Sequence, residues 1–206
     1  MKLLPMLLAF CCVVAKADIR DLEPTAIVPL VPEIIKRAES GNAEAQFDLT
    51  TIYGRGIGIE QNPTQAAIWL KQAAENGHPE AQHWVAYQFF YGQREKRDLD
   101  KAIIWYEKSA KAGYVDSMAM LGHIYKGDYR EYENLNKSIY WYKAASDEGH
   151  EHSTFQLGCF NYFGINIPQN MEKANRYFQL ASKRGDPAAK EYIRSGKKTA
   201  LKYKCN

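Results

Sequence analysis

Long apolar runs are scarce in this sequence of 206 residues. The longest, Leu3 to Val14, holds 12 residues, and a membrane-spanning helix needs ~20. No later stretch approaches it, so a multi-span membrane protein is excluded. Charge of one sign is scarce too: 27 Lys and Arg face 24 Asp and Glu, a formal net charge of +3. A nucleic-acid partner usually shows as a strongly basic patch, so none is expected. Cysteine occurs four times, and Cys11 and Cys12 lie inside the apolar start. A disulfide-dense scaffold is therefore excluded. With 14 Gly and 8 Pro the chain is neither collagen-like nor low in complexity. At 46% apolar and 25% charged, its composition is globular.

Catalytic signatures are missing as well. There is no Gly-x-Ser-x-Gly elbow, no His-Glu-x-x-His zinc motif and no phosphate loop. Ser195-Gly196-Lys197-Lys198 spells Ser-x-x-Lys but stands in a polar tail without supporting motifs. His150-Glu151-His152 sits at a helix start, where surface histidines are common, and metal binding is the minor reading. Glu95-Lys96-Arg97-Asp98 reads as a solvated loop. No carboxylate pair occupies an evidently apolar setting. No catalytic residue, metal ligand or cofactor is expected, and the chain is read as non-enzymatic.

The first residues have the order of a secretory signal. Lys2 is a basic start, Leu3 to Val14 an apolar core, and Ala15-Lys16-Ala17 a small-x-small cleavage site ending at Ala17. Leu8-Ala9-Phe10-Cys11 also resembles a bacterial lipobox, although bulky Phe10 stands where a small residue is wanted. Loss of Lys2 and Lys16 would leave 25 basic against 24 acidic residues, a net charge of +1. This reading places the mature protein in the periplasm or outside the cell, with no transmembrane segment. There Cys159 and Cys205 would meet an oxidising environment.

One period organises the rest. Gly41, Gly77, Gly113, Gly149 and Gly185 are each 36 residues apart. Trp69, Trp105, Trp141 and Tyr177 share one register, and Leu49, Val85, Leu121 and Leu157 another. Asn62, Asp98, Asn134 and Asn170 share a third. Coincident registers of this kind mark a repeat architecture. Each unit reads as two helices. Helix A starts after the Gly, with Ala45, Leu49 and Tyr53 on one face and a small residue at Ala45, Ala81, Ser117 and Ser153. A loop follows, with Gly56, Gly92 and Gly164 in register and Gly127 displaced by one. Helix B starts after the Asn or Asp, whose side chain caps the first turn, and buries Ala66, Trp69, Leu70 and Ala73. The next Gly ends helix B in the left-handed region.

The implied organisation is a signal at 1–17, an extended arm at 18–31 and a cap helix at 32–40. Repeats follow at 41–76, 77–112, 113–148 and 149–184, then a cap helix at 185–196 and a basic tail at 197–206. The half units at both ends cover apolar faces that a terminal repeat would otherwise expose.

Ala45-x-x-x-Leu49-x-x-x-Tyr53, Gly56-x-Gly58, then Ala66-x-x-Trp69-x-x-x-Ala73-Ala74-x-x-Gly77 resembles the Sel-one-like repeat (SLR). Leu121-Gly122-x-x-Tyr125 and Ser138-x-x-Trp141-Tyr142-x-x-Ala145 repeat the pattern in the third unit. Thr50 and Ala86 depart from it where Gly is usual, and Asn161 departs where an aromatic is usual. The resemblance covers Gly41 to about Ser195. It implies an all-α fold related to tetratricopeptide arrays, a right-handed α-solenoid, with a protein partner. The role implied is adaptor, regulator or immunity protein. Some cysteine-rich relatives are linked to β-lactam binding or hydrolysis, so a β-lactam-interacting enzyme is the competing reading. A purely structural envelope protein is the third.

In related solenoids helix A lines the concave face. At 100° per residue, Glu44, Asp48, Thr51 and Arg55 cluster about 140° around helix A from its core stripe. Their counterparts are Glu80, Trp84, Tyr87 and Tyr91; Asp116, Met120 and His123; and His152, Gln156, Cys159 and Phe163. Trp84 stands out, because the other three tryptophans occupy the helix B register. Trp84, Tyr87, Tyr91, Met120, His123, Asp48 and Arg55 are the candidate partner-binding residues. Exposed aromatic clusters are enriched at binding hot spots; the alternative is that this stripe packs against a neighbouring unit. Cys159 and Cys205 are a candidate disulfide, against two free thiols or an intermolecular link.

Overall fold

A computed structural model describes residues 19, 22–93, 96–195 and 205 of the chain. The signal segment, the cleavage site at Ala17, Glu95 and all of the 197–206 tail except Cys205 lie outside the described residues. So do Gly196, Lys197 and Lys198 of the Ser-x-x-Lys match. The described chain is all helical, of the α-solenoid class, and falls into two compact units, one ending at Val85 and one starting at Ala86. Among the described residues no helix is long and apolar enough to cross a membrane.

The N-terminal unit begins with a helical turn, Pro24–Ile27, and a 3-10 turn, Val28–Leu30. Helices α1 (Val31–Glu39), α2 (Ala43–Arg55) and α3 (Pro63–Glu75) follow, then the first half of α4 (Pro79–Tyr91). The extended arm expected at 18–31 is thus corrected to helix from Pro24 onward. Pro24 and Pro29 stand in the first turns of their segments, where a missing N–H costs nothing and φ is already helical. Ile27 is fully buried with Val31, Ile34, Leu49 and Ile52, which fixes the segment. Val28 packs onto Gly58, where a Cβ would meet its methyls at 3.3 Å.

The C-terminal unit holds the second half of α4, then α5 (Leu99–Lys111), α6 (Val115–His123), α7 (Leu135–Asp147), α8 (Glu151–Phe163), α9 (Met171–Arg184) and α10 (Pro187–Ser195). Its core runs through Phe90, Tyr106, Leu121 and Ile124, Tyr142, Leu157 and Phe160, and Phe155, Cys159, Phe178 and Cys205.

Both periodic registers have a physical basis. Ala45, Ala81, Ser117 and Ser153 are all fully buried, so helices meet where side chains are smallest. The cap residues accept from first-turn amides: Asn62 from Gln65 at 3.0 Å, Asp98 from Lys101 at 2.9 Å, Asn134 from Lys137 at 3.0 Å and Asn170 from Lys173 at 2.8 Å. Their own N–H groups close the loops by donating to Tyr53, Phe89, Tyr125 and Asn161 carbonyls at 2.8, 3.0, 2.9 and 2.8 Å. The residue before the cap adds a second tie. Gln61 Nε2 donates to the Gly54 carbonyl at 2.8 Å, Arg97 Nε to Phe90 at 3.1 Å and Gln169 Nε2 to Tyr162 at 2.7 Å. In the third repeat that position is Glu133, which as a carboxylate has no proton to donate.

Candidate partner-binding face

In the N-terminal unit the proposed face is only partly open. Glu44 Oε2 lies 3.1 Å from His78 Nε2, and the His78 ring stacks on Phe47 at 4.3 Å. The start of the next helix A therefore occupies this side of α2. Asp48 is 7% exposed. It is withdrawn as a partner-contacting residue, because a buried side chain cannot meet a partner; Arg55, at the end of α2, is exposed. Trp84 is 42% exposed. Its Nε1 donates to Glu80 Oε1 at 3.2 Å, and its ring meets His83 edge-on at 5.6 Å.

In the C-terminal unit Tyr87 and Tyr91 pack ring to ring at 4.4 Å, and Tyr91 is 55% exposed. Met120 is half-buried against the core. His123, also half-buried, meets Tyr129 edge-on at 6.2 Å. Along α8 the middle of the same register is closed: Gln156 and Cys159 are buried, whereas His152 and Phe163, the latter 41% exposed, reach solvent. Cys159 is bonded to Cys205, with Cα atoms 5.5 Å apart and a sequence separation of 46. Both sulfurs sit in the apolar cluster of Phe155, Tyr162, Phe178 and Ala189.

One contact recurs beside the closed positions. Helix A residues at one register meet the cap residue of the following helix A. Glu44 pairs with His78, and His152 Nδ1 lies 3.3 Å from Asp186 Oδ2. The cap residue also caps: His78 Nδ1 accepts from Ala81 N–H at 3.2 Å, His150 Nδ1 from Ser153 N–H at 3.1 Å and Asp186 Oδ1 from Ala189 N–H at 2.7 Å. His150 and His152 therefore have structural partners. Burial holds the His150 pKa below its ordinary value, against the opposing charges of Glu151, Asp116 and Asp186. Among the described residues no group of three or more His, Cys, Asp or Glu is placed to hold a metal ion.

Sequence reasoning missed the ties from the end of helix B. Asn76 Nδ2 donates to Gln46 Oε1 at 2.8 Å. Arg184, in the same register, donates through Nη1 to Thr154 Oγ1 at 2.7 Å and the Ser146 carbonyl at 2.8 Å. The signal was available: three of the four residues at one register, Gln46, Gln82 and Thr154, are polar, with Met118 the fourth, and the register is buried in every repeat.

The Sel1 repeat profile matches residues 43–78, 79–114, 115–150 and 152–186. No curated protein sequence matches significantly. A Sel1 repeat protein from Oxalobacter formigenes is similar in structure, with a TM-score of 0.68 and 21% identity over 89% of this chain and 85% of its own. A protective antigen present in uropathogenic Escherichia coli strains, displaying an SLR fold, matches 81% of the chain at 28% identity and a TM-score of 0.66. The match spans only 35% of that antigen. An immunity protein from Pseudomonas aeruginosa matches at a TM-score of 0.56 and 20% identity, over 94% of this chain and 72% of its own.

Proposed function

The chain belongs to the Sel1 repeat family, and from this premise we propose that it is an exported, non-enzymatic adaptor that binds a protein partner on the aromatic face of α4. Sel1 repeat proteins are generally protein-interaction modules. The observation that carries the reading is a contrast within one register. Asp48 and Gln156 are 7% and 4% exposed, whereas Trp84 is 42% exposed. The exposed part of the indole, at a position that two of its three counterparts bury, is apolar area whose covering on binding would be favourable. In the sequence Tyr87 and Tyr91 follow Trp84 at i+3 and i+7, the spacing of one helix face. Aromatic side chains of this kind offer wide contact area with few torsions to freeze. Export rests on Lys2, the Leu3–Val14 run and the Ala15-Lys16-Ala17 site.

Replacing Tyr91 by a photo-crosslinking residue in living cells tests the reading. A discrete adduct is expected at Tyr91 and none at exposed Lys71 on α3. Equal crosslinking at both positions, or none at Tyr91, would contradict it.

A further inference from the structure

The loop of the third repeat departs from its counterparts in shape and in chemistry. Gly56, Gly92 and Gly164 turn their loops at φ near 70°, whereas Gly127 stands at 125° within a π turn over Ile124–Asp128. A 3-10 turn, Arg130–Tyr132, follows. Inserted turns of this kind recur at functional sites. Where the other loops place a tying donor, this one places Glu133.

An open cleft of about 490 Å³ lies between α5 and this loop, within the C-terminal unit. Its floor is Ile103 and Ile104, the latter 54% exposed. Asp100, Glu107, Glu131 and Glu133 surround it. Tyr132 donates its hydroxyl to Asp100 Oδ1 at 2.9 Å, and Tyr125 to Glu107 Oε1 at 3.3 Å. Loss of solvent and these carboxylates push both phenols up to about 12, so they stay donors near neutral pH. Glu131 and Glu133 are exposed. Lys137, 4.7 Å above the Tyr125 ring, and Lys111, 3.8 Å from Glu107, offset part of the negative charge.

We infer that this cleft is a docking site for a basic side chain, arginine or lysine, presented by a partner polypeptide. An apolar floor suits the methylene stem of such a side chain, and a carboxylate rim suits its head. Lys137 already covers the Tyr125 face, so an incoming cation is directed to the exposed carboxylates of Glu131 and Glu133. A guanidinium would gain most, since its fork matches a carboxylate in two hydrogen bonds. The surplus of carboxylates repels anionic ligands. The inference rests on the protein-binding reading only in that the cation is carried on a polypeptide; it does not involve Trp84.

The test is an NMR titration of the full chain, labelled at isoleucine methyls, with the tripeptide Ac-Leu-Arg-Leu-amide. Saturable shifts are expected at Ile103 and Ile104. The E131Q/E133Q variant should raise half-saturation about fivefold, the product of two exposed charge contacts, with an unchanged circular dichroism spectrum. Ac-Leu-Nle-Leu-amide, which lacks the charge, should not saturate, and n-butylguanidinium should bind more weakly than the peptide. No saturable shift at these methyls, or equal binding of the norleucine peptide, overturns the cation site. Tighter binding of n-butylguanidinium overturns the assignment to a polypeptide. The W84A variant should titrate as the unaltered chain does, so failure here and failure of the α4 face are told apart.

Discussion

Gly122 lies against the ring of Tyr142, so closely that a Cβ at 122 would stand 2.6 Å from its Cδ1. Gly158 has the same relation to Phe178, at 2.5 Å. Both rings are buried to 2% exposure or less and have nowhere to move. Alanine in mid-helix normally gains up to ~1 kcal/mol over glycine. Overpacking a filled core costs ~1–3 kcal/mol. The second effect should win, so G158A is expected to lower stability by about 1 kcal/mol or more in urea unfolding. A stability gain would show that the ring yields. The converse holds at Ala86, fully buried in the same register: A86G should be destabilising.

His150 predicts a pH dependence. Its Nδ1 accepts the Ser153 N–H, so the ring must be neutral there, and burial lowers its pKa in the folded chain. A depressed histidine contributes stability that is complete above the unfolded value of ~6.5 and is lost as pH falls through the folded value. Thermal midpoints should therefore drop on acidification below about pH 6.5. H150N keeps an acceptor, as Asn42 does at the start of α2, and should flatten that decline. An identical decline in H150N would assign it to other groups.

The Cys159–Cys205 bond ties the far end of the chain to α8 across 46 residues. Chain-entropy models assign a loop of this length about 4 kcal/mol. C205S, or reduction under denaturing conditions before refolding, should lower the unfolding free energy by an amount of that order. Two titratable thiols in the untreated, exported protein would contradict the bond.

Periodicity made the helices and their caps legible, because Asn62, Asp98, Asn134 and Asn170 each carry a local signal in the side chain itself. The Leu-Gly pairs at 121–122 and 157–158 were visible as a pattern, and the rings of Tyr142 and Phe178 explain them. The fate of the helix A face was harder to read. A helical wheel ranks Asp48, Trp84 and Gln156 alike, because it measures angle from the core stripe and carries nothing about the next helix. Burial there depends on what the following helix brings against it, as His78 stacked on Phe47 shows. The helical turn at Pro24 was obscured by its prolines, which read as breakers until their first-turn positions are known. Glu133 gave a signal that needed the structure: only the donors at Gln61, Arg97 and Gln169 reveal what a carboxylate there forgoes.

On the proposed partner-binding surface of α4, Trp84 is the residue whose loss should matter most. The measurement is affinity capture of the tagged, exported protein from its own cells, with W84A in parallel. A single stoichiometric partner should be recovered with the unaltered chain. Truncating a central aromatic hot spot costs ~2 kcal/mol or more, about thirtyfold in affinity, so W84A should lose that partner while its helical circular dichroism is unchanged. Recovery of the same partner by W84A at the same yield would mean that the partner binds elsewhere than at Trp84.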